Sequence, residues 1–198
     1  MAKPCFQKIS SWNDFEKKLT SLNNKEKGDY FELLTKLYFK INPVYSFYDE
    51  VWLFDEVPSK ELEYLGLPSH DLGIDLIAKQ GNEYHAIQCK YHSDKTSNVT
   101  FKEVSTFISL LESNEKITQG YICSSSDLTS RNFQKLKTKP INLIMSDVWQ
   151  LLDEDFFSQV RKVLEGKKVK LIPFQPRPHQ KKALKESTNY FIKEDNSR

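Results

Sequence analysis

The stretch from His70 to Tyr91 constrains the fold more than any other part of the chain. An apolar run carrying Asp75 (Ile74 to Ala78) leads into a Gln80-Gly81-Asn82 turn, and a second apolar run leaves it as Ala86-Ile87-Gln88-Cys89-Lys90. Side chains alternate faces along a strand, so Gln88 and Lys90 point one way while Ile87 and Cys89 point the other. Paired as a hairpin, the two runs bring Asp75, Gln88 and Lys90 toward one spot. A carboxylate and an amide oxygen suit a hard cation such as Mg²⁺, and a neighbouring ammonium suits negative charge developing on a phosphate.

These residues resemble the PD-(D/E)XK nucleases, in particular the Mrr-type restriction endonuclease branch, where Gln-x-Lys replaces the usual acidic-x-Lys pair. The run from Asp71 to Ala78 followed by Ala86 to Lys90 looks like that branch's motif pair, and the likeness extends over residues 27–152. The resemblance implies an α/β, restriction-endonuclease-like mixed sheet flanked by helices, with an N-terminal helix and a C-terminal linker and basic helix. It also implies Mg²⁺-dependent hydrolysis of double-stranded DNA, with Mn²⁺ as a substitute. Asp75, Gln88 and the backbone carbonyl of Cys89 would hold the cation, and Lys90 would orient or activate water. Gly28-Asp29-Tyr30-Phe31-Glu32 resembles the opening of the branch's first core helix, with Glu32 turned toward the metal; a surface glutamate is the alternative. Asp71 is a second candidate ligand or a turn residue. His70 and His92 flank the hairpin as candidate phosphate contacts or bases, or as merely exposed histidines. Asp75→Ala and Lys90→Ala are expected to abolish cleavage without unfolding the chain.

Elsewhere the pattern is that of an ordinary globular chain of 198 residues. No apolar run approaches the ~18 residues of a membrane span, so a cytoplasmic protein without membrane contact is expected. Cys5, Cys89 and Cys123 are too scattered for a zinc knuckle or a disulfide framework, and the last two read as small core residues. Trp12, Phe15, Leu19 and Leu22 predict a short helix capped at Ser10 or Ser11. Tyr30 to Tyr38 predicts a second over 26–40, the aromatic segment 44–54 is expected to be extended, and a helical turn is expected at 60–64. A helix within 99–115, a strand from Gln119 to Ser125, a helix over 127–138, a strand at 141–145 and helices from Ser146 onward complete the order, with parallel pairing across the crossover. Ser124, Ser125 and Ser126 suit either a nucleic-acid backbone or a hydrogen-bonded turn.

Charge is unevenly placed. From Ser158 onward eleven basic residues face four acidic ones, a surplus of seven on a chain whose net charge is +2. Solvated lysines and phosphate contacts explain this equally well. Within this tail Arg177-Pro178-His179-Gln180 resembles the segment opening a superfamily 2 helicase or translocase, where Gln180 would recognise adenine. No G-x-x-x-x-G-K-[ST] loop follows in the chain. The expected division is residues 1–24 as a helix on the core, 25–166 as the nuclease domain, and 167–198 as a linker leading toward a helicase domain. A homodimer is compatible with the sequence, and a DNA-binding module that does not cut is the rival reading.

Overall fold

The computed structural model describes residues 6–70, 73–94, 96–127, 139–167 and 178–195. The hairpin forms as expected. Strands β2 (Leu76–Gln80) and β3 (Glu83–Lys90) pair antiparallel with Leu76 opposite Ile87 and Gln80 opposite Glu83. Gly81 takes φ +57 in the two-residue turn, a conformation that costs a residue bearing Cβ.

Around this hairpin lies a five-stranded sheet in the order β1 (Glu50–Leu53), β2, β3, β4 (Ile117–Ser124), β5 (Ile141–Ile144). β1 pairs antiparallel with β2, whereas β4 and β5 extend the sheet in parallel from β3. The sheet is therefore mixed, and helices α1 (Trp12–Leu19), α2 (Asn24–Ile41), α3 (Ser59–Leu65), α4 (Phe101–Ser113), α5 (Ser146–Trp149), α6 (Glu154–Leu164) and α7 (Pro178–Asp195) complete an α/β fold.

Alternation along the strands divides the core into two layers. Leu76, Ala78, Ile87, Cys89, Tyr121 and Cys123 face α1, α2 and the segment of α5 and α6. Ile77, Tyr84, Ala86 and Ile122 face α4 and the α3 region. On the first face Trp149 sits between Trp12, Phe31 and Tyr38 at ring-centroid distances of 6.2, 5.2 and 5.1 Å, and its Nε1 donates to the Ser124 carbonyl at 2.7 Å. Each fully buried large apolar side chain contributes about 1.5–3 kcal/mol, which is how an eight-residue α1, too short to persist alone, is held through Trp12, Phe15 and Leu19.

Helix starts follow local chemistry. Asn23 and Glu26 form a reciprocal capping box that starts α2, Ser11 caps α1 through Asp14 N–H, and Thr100 and Glu103 close the start of α4. The expected extended segment at 44–54 is corrected: Pro43–Tyr45 is a 3₁₀ turn and only Glu50–Leu53 is strand. Pro43 fixes the first helical φ and the Asn42 side chain accepts from Val44 N–H, so local hydrogen bonding overrides aromatic strand propensity. The helix expected over 127–138 falls almost wholly outside the described residues, as does Cys5.

Candidate active site

Asp75 enters the site from the residue before β2. Its main chain is fixed on both sides, with Asp75 N–H donating to the Ile87 carbonyl at 2.9 Å and its carbonyl accepting from Phe54 N–H at 2.8 Å. Gly73 takes φ +110, and a Cβ there would lie 3.4 Å from the Thr106 methyl, so the turn that delivers Asp75 depends on glycine.

Asp75 is 9% exposed. Its Oδ2 accepts the Cys89 backbone N–H at 2.5 Å and the side-chain amide of Gln88. Gln88, almost fully buried, also places Nε2 3.4 Å from the Cys89 carbonyl. As placed, Gln88 presents its amide hydrogens to Asp75; a half-turn of the amide would present Oε1 instead.

Asp75 lines a cavity of about 830 Å³ whose wall also includes Glu32 and Asp29 from α2, Asp55 after β1, and His70. Glu32 is half-buried on the inner side of α2 and His70 is exposed. Lys90 is half-buried at the end of β3, on the same strand face as Gln88, and its carbonyl accepts from Ser125 N–H at 3.1 Å. The structure thus brings Glu32, His70 and Asp75 to one cavity, sets Gln88 and the Cys89 amide directly against Asp75, and leaves Lys90 off the cavity wall. Asp71 and the side chain of Gln180 lie outside the described residues.

Among the described residues no three His, Cys, Asp or Glu side chains converge closely enough to hold a metal by themselves. With the His70 imidazole also on the cavity wall, the oxygen donors available are the carboxylates of Asp75 and Glu32 and the Cys89 carbonyl. That set fits a small hard cation that retains several waters. The two described cysteines are free, buried and opposite one another on β3 and β4. Burial, with Cys123 alongside, pushes the Cys89 thiol well above its ordinary value, so it remains a neutral core group.

A second polar cluster was not visible in the sequence. His92 Nδ1 lies 2.9 Å from Ser126 Oγ and its Nε2 lies 2.8 Å from Glu103 Oε1. Burial raises the Glu103 carboxyl, but bonds from Thr100 and His92 outweigh it and leave the group below the usual carboxylate range. The three serines form a hydrogen-bonded turn, one of the two alternatives open from sequence, with Ser126 N–H donating to Ser124 Oγ at 3.0 Å. His92 and Glu103 stand eleven positions apart on a loop and a helix, a spacing that no periodic pattern singles out.

A family model described as "Restriction endonuclease" matches residues 40–158, more than half of the chain. Two similar solved structures are the DNA modification-dependent restriction endonuclease AspBHI (15% identity, TM-score 0.49) and the MspJI restriction endonuclease in complex with a 27-mer oligonucleotide (13% identity, TM-score 0.45). The matches cover 82% and 78% of this chain but 40% and 34% of theirs, so the chain spans less than half the length of either. The comparison with curated proteins gives no match. Among the described residues no helix is long and apolar enough to cross a membrane.

Proposed function

Since the chain belongs to the restriction endonuclease family, we propose that it is a nuclease module that hydrolyses phosphodiester bonds of double-stranded DNA with a divalent cation, Mg²⁺ or in its place Mn²⁺. The observation that carries this reading is the buried Asp75 carboxylate, anchored on the Cys89 amide and Gln88 and opening on a cavity shared with Glu32.

Asp75 and Glu32 would hold the cation, with the Cys89 carbonyl close by and Asp71 as a further candidate. When bound, such an ion lowers the pKa of water and offsets phosphate charge. Gln88 holds Asp75 in orientation through its amide hydrogens, and becomes a ligand itself only after the half-turn of the amide. Lys90 orients the attacking water and stabilises charge on the phosphate. His70, on the cavity wall, is the candidate for a phosphate contact or proton transfer there.

The same reading divides the chain into a helix packed on the core (1–24), the nuclease domain (25–166) and a linker (167–198) leading to a helicase or translocase segment, with Gln180 as adenine contact. Cutting both strands calls for two sites or two visits, for which a homodimer is the simplest arrangement.

The test is cleavage of supercoiled plasmid with Mg²⁺, Mn²⁺, Ca²⁺ or chelator. Metal-dependent nicking that disappears in Asp75→Asn and Lys90→Ala is expected; equal nicking by these variants and the parent protein sinks the assignment. A DNA-binding module that does not cut is the rival, motivated by the neutral Gln88 standing in place of a second carboxylate. Binding without cleavage under every metal condition would select it.

A further inference from the structure

Strand ends fray unless something ties them, and Lys90 is the last residue of β3. Beyond it the chain is tied at several atoms. Ser125 N–H donates to the Lys90 carbonyl at 3.1 Å, His92 N–H donates to Ser125 Oγ at 2.7 Å, and Ser125 Oγ donates to the His92 carbonyl at 3.2 Å. The imidazole adds Ser126 Oγ at 2.9 Å on Nδ1 and Glu103 Oε1 at 2.8 Å on Nε2. Glu103 is itself fixed, its other oxygen accepting from Thr100 N–H and Oγ1, each at 2.7 Å.

Proton placement is determined by the partners. A carboxylate on Nε2 requires the proton there, and in the neutral ring Nδ1 then accepts from the Ser126 hydroxyl. Ser124, Ser125 and Ser126 are all buried and the His92 side chain is 16% exposed, so the serine contacts compete little with water. The Glu103 side chain, 35% exposed, leaves the Nε2 contact open to it. One side chain therefore joins three elements: the end of β3, the end of β4 and the first turn of α4.

We infer that His92 is a positioning residue for Lys90, bolting the end of β3 to β4 and α4 so that the lysine is presented in one orientation. The inference rests on the role given to Lys90 in the proposed function. A lysine carries four rotatable carbons, and only a fixed backbone limits where its ammonium reaches. Displacements of about 1 Å in a reacting group cost up to a hundredfold in rate, so loosening this clasp should be visible in turnover rather than in binding.

Substitutions dissect the two ring contacts. Asparagine reproduces the Nδ1 position and keeps Ser126; glutamine reaches the Nε2 position and keeps Glu103. His92→Ala is expected to lower kcat for DNA cleavage about ten- to a hundredfold at unchanged KM. His92→Asn and His92→Gln, which each keep one ring contact, should fall between it and the parent, Asn nearer the parent because its Ser126 partner is buried. The second readout needs no activity. Lysine amines are tagged with isotopically labelled methyl groups, the Lys90 resonance is identified by its loss in Lys90→Arg, and its chemical shift is compared across variants. It should move in His92→Ala and Ser126→Ala and by less in His92→Asn.

Parental kcat and an unmoved Lys90 resonance in His92→Ala overturn the inference, as does a rise in KM alone, which would mark His92 as a direct DNA contact. If His92→Ala does not fold, Ser126→Ala and His92→Asn decide the matter by the same two measurements. Equal cleavage by the parent protein and Lys90→Ala, or no cleavage by the parent, would instead overturn the proposed function. A large loss in Lys90→Ala with none in His92→Ala or Ser126→Ala would overturn the positioning role alone.

Discussion

Replacing Asp75 by alanine and by asparagine separates its chemical role from its structural one. The sequence alone suggested that alanine would leave the fold intact, but the structure wires this carboxylate into the core. Its Oδ2 accepts one buried backbone N–H and one buried side-chain amide. Alanine leaves the Cys89 N–H without that acceptor, and leaves Gln88 Nε2 with the Cys89 carbonyl at 3.4 Å. An unmatched buried donor costs about 1–3 kcal/mol, so with partial compensation at Gln88 the total is roughly 2–4 kcal/mol. In a domain of this size that lowers the melting temperature by roughly 5–15 °C. Asparagine keeps an acceptor oxygen in the Oδ2 position and should stay within about 5 °C of the parent. Both variants should lose cleavage, since neither retains the charge. Calorimetry and a plasmid-nicking assay on the same preparations measure the two effects. Identical melting of the alanine and asparagine variants would refute the structural role, and parental nicking by asparagine would refute the ligand role.

Three further outcomes follow from the packing. A Cβ added at Gly120 would lie 2.6 Å from Leu111 Cδ2 and 3.1 Å from Phe107 Cζ, so Gly120→Ala should lose about 1–3 kcal/mol in denaturant unfolding. Lys139 Nζ donates to the carbonyls of Leu111, Asn114 and Ile117 at 2.7, 2.5 and 2.8 Å, around the C-terminal end of α4, and Lys139→Met should cost about 2 kcal/mol by the same measurement. Burial raises the phenols of Tyr38 and Tyr91 to about 12 from 10.0, and pushes Tyr45 and Tyr48 up as well. The stability tied to Tyr38 and Tyr91 is intact below pH 10 and lost as pH rises through about 12. Tyrosinate absorbance should therefore rise in two phases, the second coinciding with unfolding; a single phase centred at pH 10 would contradict this.

The hairpin and the helix faces were legible because period-two and period-3.6 patterns are local consequences of backbone geometry. The adjacency of Asp75 and Gln88 was legible for that reason, whereas Glu32 was named only by resemblance. The clasp at His92 was not legible, because its partners meet only after α4 crosses from β3 to β4. The packing at Gly120 was hidden as well: this residue lies within the expected strand, but the approach of Phe107 and Leu111 to the sheet there comes from another element. The segment after Asn42 misled because aromatic content speaks of strand while Pro43 and the Asn42 side chain determine the turn.

The two-residue turn at Gly81 and Asn82 also bears on the order of folding events. Loop-closure entropy makes β2 and β3 the cheapest strands in the sheet to join, whereas β3 and β4 meet only after the chain spans α4. Asp75 and Gln88 thus acquire their mutual register with the earliest contacts, and the serine turn that steadies the end of β3 arrives with the later ones. In pulsed hydrogen exchange during refolding, the β2–β3 amides should gain protection before those of β4, so Asp75 and Gln88 are in register while the chain beyond Lys90 is still untethered.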